Sequence, residues 1–173
     1  MVLPRASASL DYEAELAIII GRGGRHITEA DAMNHVLGYC RLNDGSVRDY
    51  QLTHSVGAGK NFAASGGFGP WIVTCDEVGD LGTRSLRTRV NGEVLQDDKI
   101  GDLLFGPAAL IAYMSTIMRL EPGDVITSGT PGGVGFFREP KRYLQPGDRL
   151  EIELEGVCRL QNPVIEESEI RWG

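Results

Sequence analysis

Two glutamates near the start of the chain have the spacing of a metal-binding pair. Glu13 and Glu15 lie two positions apart in an alternating segment. On a strand their side chains would share one face, with Cα atoms about 6.5–7 Å apart. Carboxylates that close repel each other unless a positive charge lies between them, and a divalent cation commonly supplies it. The same spacing is also common on the solvated face of an edge strand, so spacing alone leaves both interpretations open.

Two further polar segments could contribute to such a site. In segment 43–51, the side chains of Asp44, Arg48 and Gln51 would share one face if the segment is helical. Clusters of Asn, Asp, Gly and Ser more often form turns, however. Gly129–Gly135 is glycine-rich but lacks both the Gly-Lys-Ser/Thr ending of a P-loop and the G-x-G-x-x-G spacing of a dinucleotide fold. Such a loop can still bring backbone amides close to a carboxylate.

The glutamate pair needs a strand to carry it into the core. Leu10–Ile20 is predicted to form one long strand, acidic on one face at its start and apolar on both faces at its end. Its carboxylates should therefore lie at the edge of the core. Val36–Leu42 predicts another strand, and Thr28, three residues before Asp31, is typical of a helix start with short turns over 29–35. Segment 57–69 is predicted to be a glycine-rich loop.

The second half of the chain predicts a hairpin, a helix and further strands. Ser85–Val90 and Glu93–Gln96 flank Asn91-Gly92, which suits a type I′ turn because both central residues need positive φ. Gly106-Pro107 is predicted to open a core helix. Its apolar residues are Leu110, Ile111, Met114, Ile117 and Met118. Two Pro-Gly turns each precede a further strand. The pattern as a whole favours a β-rich α+β fold with two modest helices.

Composition and charge exclude several classes of protein. A length of 173 residues predicts a single domain covering residues 1–173. The 24 acidic and 17 basic residues give a charge of −7, which argues against nucleic acid and anionic membranes as partners. The absence of a long apolar run or signal-peptide pattern predicts a cytoplasmic protein. Cys40, Cys75 and Cys158 form no C-x-x-C pair, so we expect small buried hydrophobes.

Seven segments of the chain follow one another in the order of a known set of motifs. The motifs are D-Y-E-x-E-L-A, N-D-x-S-x-R-D-x-Q, G-K-S/N-F, G-P-W-I-V-T, V-N-G-E-x-x-Q, L-x-P-G-D-V-I-x-x-G-T-P-x-G-V-G and G-D-x-x-E-x-E-x-E-G. Their counterparts are Asp11–Ala17, Asn43–Gln51, Gly59–Phe62, Gly69–Thr74, Val90–Gln96, Leu120–Gly135 and Gly147–Gly156. Over almost its whole length the chain therefore resembles the catalytic domain of the fumarylacetoacetate hydrolase family.

The resemblance implies a site, a fold and an assembly. It implies a metal held by Glu13, Glu15 and Asp44, most often Mg²⁺ and sometimes Mn²⁺ or Ca²⁺, in agreement with the preference of these ions for oxygen ligands. The implied catalytic and substrate-binding residues are Arg48, Gln51 and Lys60, and Thr130 is implied to bind substrate. The implied fold is a mixed β-roll or barrel of several sheets, and the implied assembly is a homodimer.

The chain departs from the family pattern at the group that activates water. Hydrolytic members use a His-Glu pair from a segment before the metal-binding strand, and because the sequence begins only ten residues before that strand, this pair is not expected in it. His26, His35 and His54 match no catalytic position and are interpreted as surface or helix-end residues. Gly45, where a bulkier residue is common, and Gly57-Ala58 are expected to loosen the pocket wall.

The leading hypothesis is a metal-dependent hydrolase that cleaves a C–C bond in a 2-oxo or β-diketo acid, such as an acylpyruvate, in aromatic compound catabolism. Metal and Lys60 would stabilise the enolate that forms when the neighbouring bond breaks. One alternative is isomerisation of a 2-hydroxy-diene-dioate or decarboxylation of an oxaloacetate-like acid, and decarboxylation needs no group that activates water. The alternative of another class is a homologue that binds metal and oxo acid without turnover.

Overall fold

The computed structural model describes residues 1–171, in which the chain forms twelve strands and five α-helices. The strands are β1 Val2–Leu3, β2 Leu10–Asp11, β3 Ala14–Ile20, β4 Val36–Asn43, β5 Ser46–Val47, β6 Gly67–Thr74, β7 Ser85–Val90, β8 Glu93–Lys99, β9 Val125–Thr127, β10 Arg149–Leu154, β11 Cys158–Pro163 and β12 Ile165–Glu166. The helices are α1 Glu29–Ala32, α2 Arg48–Thr53, α3 Val56–Gly59, α4 Cys75–Val78 and α5 Pro107–Ile117. Short 3-10 turns occupy Met33–His35, Leu81–Thr83, Ile100–Asp102, Gly135–Phe137 and Glu167–Glu169.

Two antiparallel four-stranded sheets form the framework. One has the order β6-β4-β3-β9 and the other the order β11-β10-β7-β8. Two small sheets, β2-β5 and the parallel pair β1-β12, complete the strand pairing of the described residues. The expected β-rich α+β class is confirmed, with open sheets and not a closed barrel.

The core lies between the two large sheets and the longest helix. Ile18 and Tyr39 from the first sheet, Leu86 and Ile152 from the second and Ile111 from α5 belong to one buried apolar cluster. Burial of these side chains supplies the main stabilisation of the fold. Within residues 1–171, no helix has the length and apolar character needed to cross a membrane.

The predicted strand over Leu10–Ile20 is in fact two strands, β2 and β3, separated by Tyr12 and Glu13. The backbone amide of Tyr12 donates to Asp11 Oδ1, and that of Glu13 donates to Asn43 Oδ1. These side-chain acceptors satisfy amides at the point where the strand pairing is interrupted. The solvated-face interpretation is also wrong, because Glu13 and Glu15 are only 8% and 4% exposed.

Two segments fold differently from their local sequence patterns. Segment 43–51 is not one helix: β4 ends at Asn43, β5 follows, and only the part from Arg48 onward is helical. The predicted glycine-rich loop over 57–69 contains the end of α3 and the start of β6. In both cases pairing with distant strands overrides the local preference for turns.

The hairpin and the helix are confirmed, with a difference in what the helix buries. β7 and β8 pair around Asn91 and Gly92, which have φ of 53° and 87°. Helix α5 begins at Pro107, but Ile117 is 54% exposed, so the apolar stripe of the helix is only partly covered.

His35 ends a helical turn, as expected, but it is buried and not on the surface. Its Nδ1 lies 2.7 Å from the Arg22 carbonyl oxygen.

Candidate functional site

Strand pairing brings the predicted metal ligands together. Ala14 of β3 is paired with Asn43 of β4, so the residues next to them, Glu13 and Asp44, meet at the end of the ladder. The Asp44 amide donates to the Glu13 carbonyl oxygen at 2.9 Å. Glu15 lies two residues further along the chain, in β3, so its side chain is on the same side as that of Glu13. Carboxylate oxygens of Glu13, Glu15 and Asp44 all lie within 4.8 Å of one another.

Glu15 is the most buried of the three carboxylates. Burial raises the pKa of Glu15 above its ordinary value, and the nearby carboxylates of Asp44 and Glu13 act in the same direction. The Gly129 amide opposes this by donating to Glu15 Oε2 at 3.0 Å. The glycine-rich loop therefore does approach a carboxylate, as its composition suggested. A cation here would relieve the repulsion among the three groups.

Lys60 lies between two of the carboxylates. Its Nζ donates to Glu13 Oε2 at 2.8 Å, to Asp44 Oδ2 and to Ser46 Oγ at 3.1 Å. Burial acts to lower the pKa of Lys60, but the hydrogen bonds and charges of Asp44 and Glu13 outweigh it, so the pKa is raised. The side chain is therefore an ammonium at neutral pH. Gly59 makes this placement possible, because a Cβ there would lie 2.6 Å from Gln51 Cβ.

Arg48 connects the carboxylates to the start of α2. Its Nε donates to Asp11 Oδ2 at 2.8 Å, and its Nη1 lies 2.7 Å from Glu13 Oε1 and 2.9 Å from Gln51 Oε1. Burial acts against the charge, yet Asp11 and Glu13 outweigh it and raise the pKa of Arg48. Its Nη2 is buried without a hydrogen-bond partner among the described residues. Such an orphaned donor is costly unless an acceptor reaches it.

Thr130 lies next to the loop residue that contacts Glu15. It is partly exposed, and its Oγ1 accepts a hydrogen bond from Gln96 Nε2 at 2.9 Å. The structure thus places Glu13, Glu15, Asp44, Lys60, Arg48 and Gln51 in one connected cluster, with Thr130 joined to it through Gly129. Their catalytic and binding roles stay predictions.

Sequence reasoning assigned no role to two buried residues of this region. Asp11 is fully buried and accepts hydrogen bonds from Arg48 Nε and from the amides of Tyr12, Gly135 and Phe136. Gln96 is 2% exposed and contacts both the β3 backbone and Thr130. Asp11 lies in the family motif at Asp11–Ala17 and Gln96 in the motif at Val90–Gln96, and this membership is the only feature of the sequence that indicates a role for them.

One expected feature of the pocket wall is wrong. A Cβ at Gly45 would lie 1.9 Å from the Ser65 carbonyl oxygen, so glycine there permits a close backbone approach and does not leave the wall loose.

His54, the histidine nearest the site in sequence, stacks on Tyr50 with ring centroids 4.8 Å apart. Its Nδ1 lies 2.8 Å from Thr53 Oγ1. Within the described residues it makes no contact with the carboxylate cluster.

The donor set fits a hard divalent cation. Glu13, Glu15 and Asp44 offer carboxylate oxygens only, which suits Mg²⁺, Mn²⁺ or Ca²⁺ and disfavours metals that prefer nitrogen or sulfur ligands. Together with Asp11, these carboxylates carry four negative charges when ionised, against one positive charge each on Arg48 and Lys60. The difference of two negative charges is the charge that a divalent cation would balance.

Comparison with known proteins places the chain in a family. Residues 1–165 match the model of the fumarylacetoacetate (FAA) hydrolase C-terminal domain. The chain belongs to the fumarylacetoacetate hydrolase family. A mitochondrial oxaloacetate tautomerase of Xenopus laevis is 40% identical over 166 residues, which cover 94% of this chain and 52% of the relative. The chain therefore spans about half the length of the curated relatives that it matches.

Solved structures of the fumarylacetoacetate hydrolase family share the fold. A fumarylacetoacetate hydrolase from Exiguobacterium antarcticum has a TM-score of 0.89 and 41% identity, covering 96% of this chain and 61% of that protein. A 2-hydroxyhepta-2,4-diene-1,7-dioate isomerase from Mycobacterium marinum has a TM-score of 0.85 and 36% identity, covering 95% and 62%. The relatives are enzymes with different reactions, so family membership alone does not select one.

Proposed function

We propose that this chain forms the divalent-cation site of an enzyme that enolises a 2-oxo acid, and that its reaction is keto–enol tautomerisation of an oxaloacetate-like substrate. The observation that carries the proposal is the Lys60 ammonium beside the cluster of Glu13, Glu15 and Asp44. Enolisation needs stabilisation of negative charge on the oxo oxygen, which the Lys60 ammonium and a cation held by the three carboxylates would together supply. A related oxaloacetate tautomerase supports the choice of reaction.

Glu13, Glu15 and Asp44 would hold the cation, with Mg²⁺ as the proposed ion. A bound cation would supply Lewis-acid stabilisation of the substrate's oxygens. Carboxylate ligands leave further coordination positions for substrate and water, as Mg²⁺ sites usually do.

The remaining polar residues would bind the substrate and move its proton. In the enol-forming direction, Lys60 Nζ would give a hydrogen to the oxo oxygen, and the amine left behind would take the proton from the adjacent carbon, which restores the ammonium. Arg48 Nη2 lacks an acceptor among the described residues and would pair with a substrate carboxylate. Gln51 and Thr130 would orient the substrate from either side.

Hydrolysis of a C–C bond in an acylpyruvate-like acid is the second candidate, favoured by the likeness to a fumarylacetoacetate hydrolase. Hydrolysis also requires a base that activates water. His35 and His54, the histidines whose rings have hydrogen bonds, contact Asp31 and Thr53 and not the carboxylate cluster of the described residues. Tautomerisation, isomerisation and decarboxylation need no such base, and the likeness to oxaloacetate tautomerases favours tautomerisation among the three.

The test is a comparison of substrates in the presence of Mg²⁺. We expect the protein to accelerate the decay of the oxaloacetate enol, followed by its ultraviolet absorbance, and to lose this activity when a chelator is added. Glu13→Gln should abolish the acceleration, whereas Glu93→Gln at the exposed start of β8 should not. Pyruvate release from acylpyruvates without tautomerisation would support hydrolysis instead. Binding of Mg²⁺ and oxalate with neither reaction would identify a non-catalytic homologue.

We further propose that residues 1–173 act as one catalytic domain and that two copies form a homodimer. Phe105 and Tyr113, both exposed, line one groove together with Leu110, and contiguous apolar surface of this kind supports pairing because it is typical of protein–protein contacts. The most exposed large apolar side chains of the described chain are Leu104, Phe137, Leu52 and Tyr113. Sedimentation velocity should give twice the chain mass of 18.8 kDa, and a mass of one chain would contradict the assembly.

A further inference from the structure

Gln96 lies at the junction between the cation-site strand and the loop that carries Thr130. It belongs to β8, is 2% exposed and uses both ends of its side-chain amide. Its Oε1 accepts from the Ala14 backbone amide at 3.1 Å and from Thr88 Oγ1 at 2.8 Å. Its Nε2 donates to Thr130 Oγ1 at 2.9 Å and to the Pro131 carbonyl oxygen at 2.8 Å. One buried side chain therefore connects the residue between Glu13 and Glu15 to Thr130.

Two of these partners determine which way the amide points. The Ala14 backbone N–H can only donate, and the Pro131 carbonyl oxygen can only accept. The oxygen of the Gln96 amide must therefore face β3, and its nitrogen must face the loop. A flipped amide would place two acceptors together at Pro131 and two donors together at Ala14. The hydrogen bond to Thr130 is thus one in which Gln96 donates.

This direction decides the role of the Thr130 hydroxyl. Because Oγ1 accepts from Gln96 Nε2, its own hydrogen must point elsewhere. No group among residues 1–171 accepts that hydrogen, and Thr130 is partly exposed. The Thr130 hydroxyl can therefore donate its hydrogen to an oxygen of a ligand.

We propose that Gln96 is a positioning residue that makes Thr130 a hydrogen-bond donor toward a carboxylate or oxo oxygen of the substrate. Through Ala14 it also holds the Thr130 loop at a constant position relative to Glu13 and Glu15. The site should consequently favour a substrate with an acceptor at this position over one with a donor. The inference rests on the proposed function, because Thr130 must contact the substrate.

Gln96→Glu tests the direction of the hydrogen bond. The substitution keeps an oxygen for Ala14 and Thr88 but replaces the donor nitrogen with an acceptor, which would capture the Thr130 hydrogen. We expect the KM for the oxo acid, and the Kd for oxalate measured by calorimetry, to rise about tenfold or more. The kcat and the Kd for Mg²⁺ should stay close to those of the unmodified protein. Gln145→Glu, at an exposed position, is the control for added charge.

Variants of Thr130 test the same inference even if Gln96→Glu does not fold. Thr130→Val should weaken oxalate binding about tenfold, and Thr130→Ser should restore it. Combining Thr130→Val with Gln96→Glu should cause no further loss, because both remove the same donated hydrogen bond.

Three results would overturn the inference. They are normal oxalate binding in Thr130→Val, additive losses in the double variant, and a Gln96→Glu protein whose melting temperature and Mg²⁺ affinity fall while oxalate binding stays normal. The last result would mean that Gln96 only stabilises the fold. Failure of the proposed function is separate: the unmodified protein would show no tautomerisation, while oxalate binding would still depend on Gln96 and Thr130.

Discussion

At the scale of single residues, Lys60 shows how neighbouring charges determine what a side chain can do. Its ammonium contacts Glu13, Asp44 and Ser46, and these carboxylates raise its pKa although burial alone would lower it. The sequence indicated Lys60 only through a short Gly-Lys motif. The contact with both carboxylates arises because α3 crosses α2 at Gly59 and Gln51, which no local pattern records.

Lys60→Met should lower kcat for tautomerisation by about a hundredfold or more, because it removes the charge that stabilises the developing oxyanion. Mg²⁺ should still bind, since the three carboxylates remain. Lys99→Met is the matched control, because Lys99 is an exposed lysine at the end of β8. Steady-state kinetics and calorimetry check the two expectations. Unchanged kcat in Lys60→Met would exclude Lys60 from the reaction.

At the scale of elements, the loop after β9 is held in place by long-range contacts. Gly129 donates to Glu15, Gly135 donates to Asp11, and the Gly133 carbonyl oxygen accepts from Tyr12. The sequence showed a glycine-rich loop without a phosphate-binding pattern. The structure shows why particular glycines are needed, since Gly133 has a φ of 103° and packs against the backbone of β8.

Gly133→Ala should destabilise the protein by about 1–3 kcal/mol, because the left-handed backbone conformation disfavours a side chain. In addition, the new Cβ would lie 2.2 Å from the Leu95 carbonyl oxygen. Gly132→Ala, at the adjacent position, should have little effect because no atom lies within 4 Å of its Cβ. Urea denaturation of the two variants makes the comparison. Equal stability of the two variants would show that the backbone of the loop shifts to accommodate a Cβ at position 133.

The hairpin turn is linked to β10 through Asp148. Burial would raise the pKa of Asp148, but hydrogen bonds from Arg142, the Gln145 amide and Asn91 outweigh it and hold the pKa below its ordinary value of 3.8. The folded state therefore favours the carboxylate. The resulting stabilisation is present above the ordinary pKa and is lost as the pH falls through the lowered pKa.

Asp148→Asn should consequently reduce the free energy of unfolding at neutral pH by about 2 kcal/mol. The difference from the unmodified protein should shrink as the pH falls below 3.8, because protonation of Asp148 removes the same charge. Asp98→Asn, on an exposed part of β8, should show neither effect. The measurement is chemical denaturation over a series of pH values. A difference that does not depend on pH would assign the loss to packing.

At the scale of the whole molecule, folding concentrates negative charge in a chain that is already acidic. The formal charge is −7, and three carboxylates meet within 4.8 Å. Their repulsion opposes folding unless it is balanced. A cation that binds only the folded chain would therefore stabilise the entire structure by mass action.

Mg²⁺ at about a hundred times its Kd should add about 2.7 kcal/mol of stability. For a chain of this length, that corresponds to a rise in melting temperature of about 5–10 °C. Glu13→Gln should remove most of the rise, and Glu93→Gln should keep it. Differential scanning calorimetry with and without a chelator measures the effect. A melting temperature that does not respond to Mg²⁺, Mn²⁺ or Ca²⁺ would contradict a cation site at these carboxylates.

The sequence by itself was sufficient for the family, the β-rich α+β class, the hairpin at Asn91-Gly92 and the start of α5 at Pro107. These features depend on local patterns: motif order, alternation, and residues with special backbone preferences. The spacing of Glu13 and Glu15 indicated a possible cation pair, and the resemblance to the family implied the full ligand set with Asp44.

Only the tertiary structure decided how these residues work together. The break between β2 and β3 and the contacts of Asp11 and Gln96 all involve partners far away in the chain. The Gly135 amide that Asp11 binds is 124 positions away, and the Ala14 amide that Gln96 binds is 82 positions away. A single sequence does not state which distant polar groups will meet, because that depends on how the two sheets pack and on the need to satisfy every buried donor and acceptor.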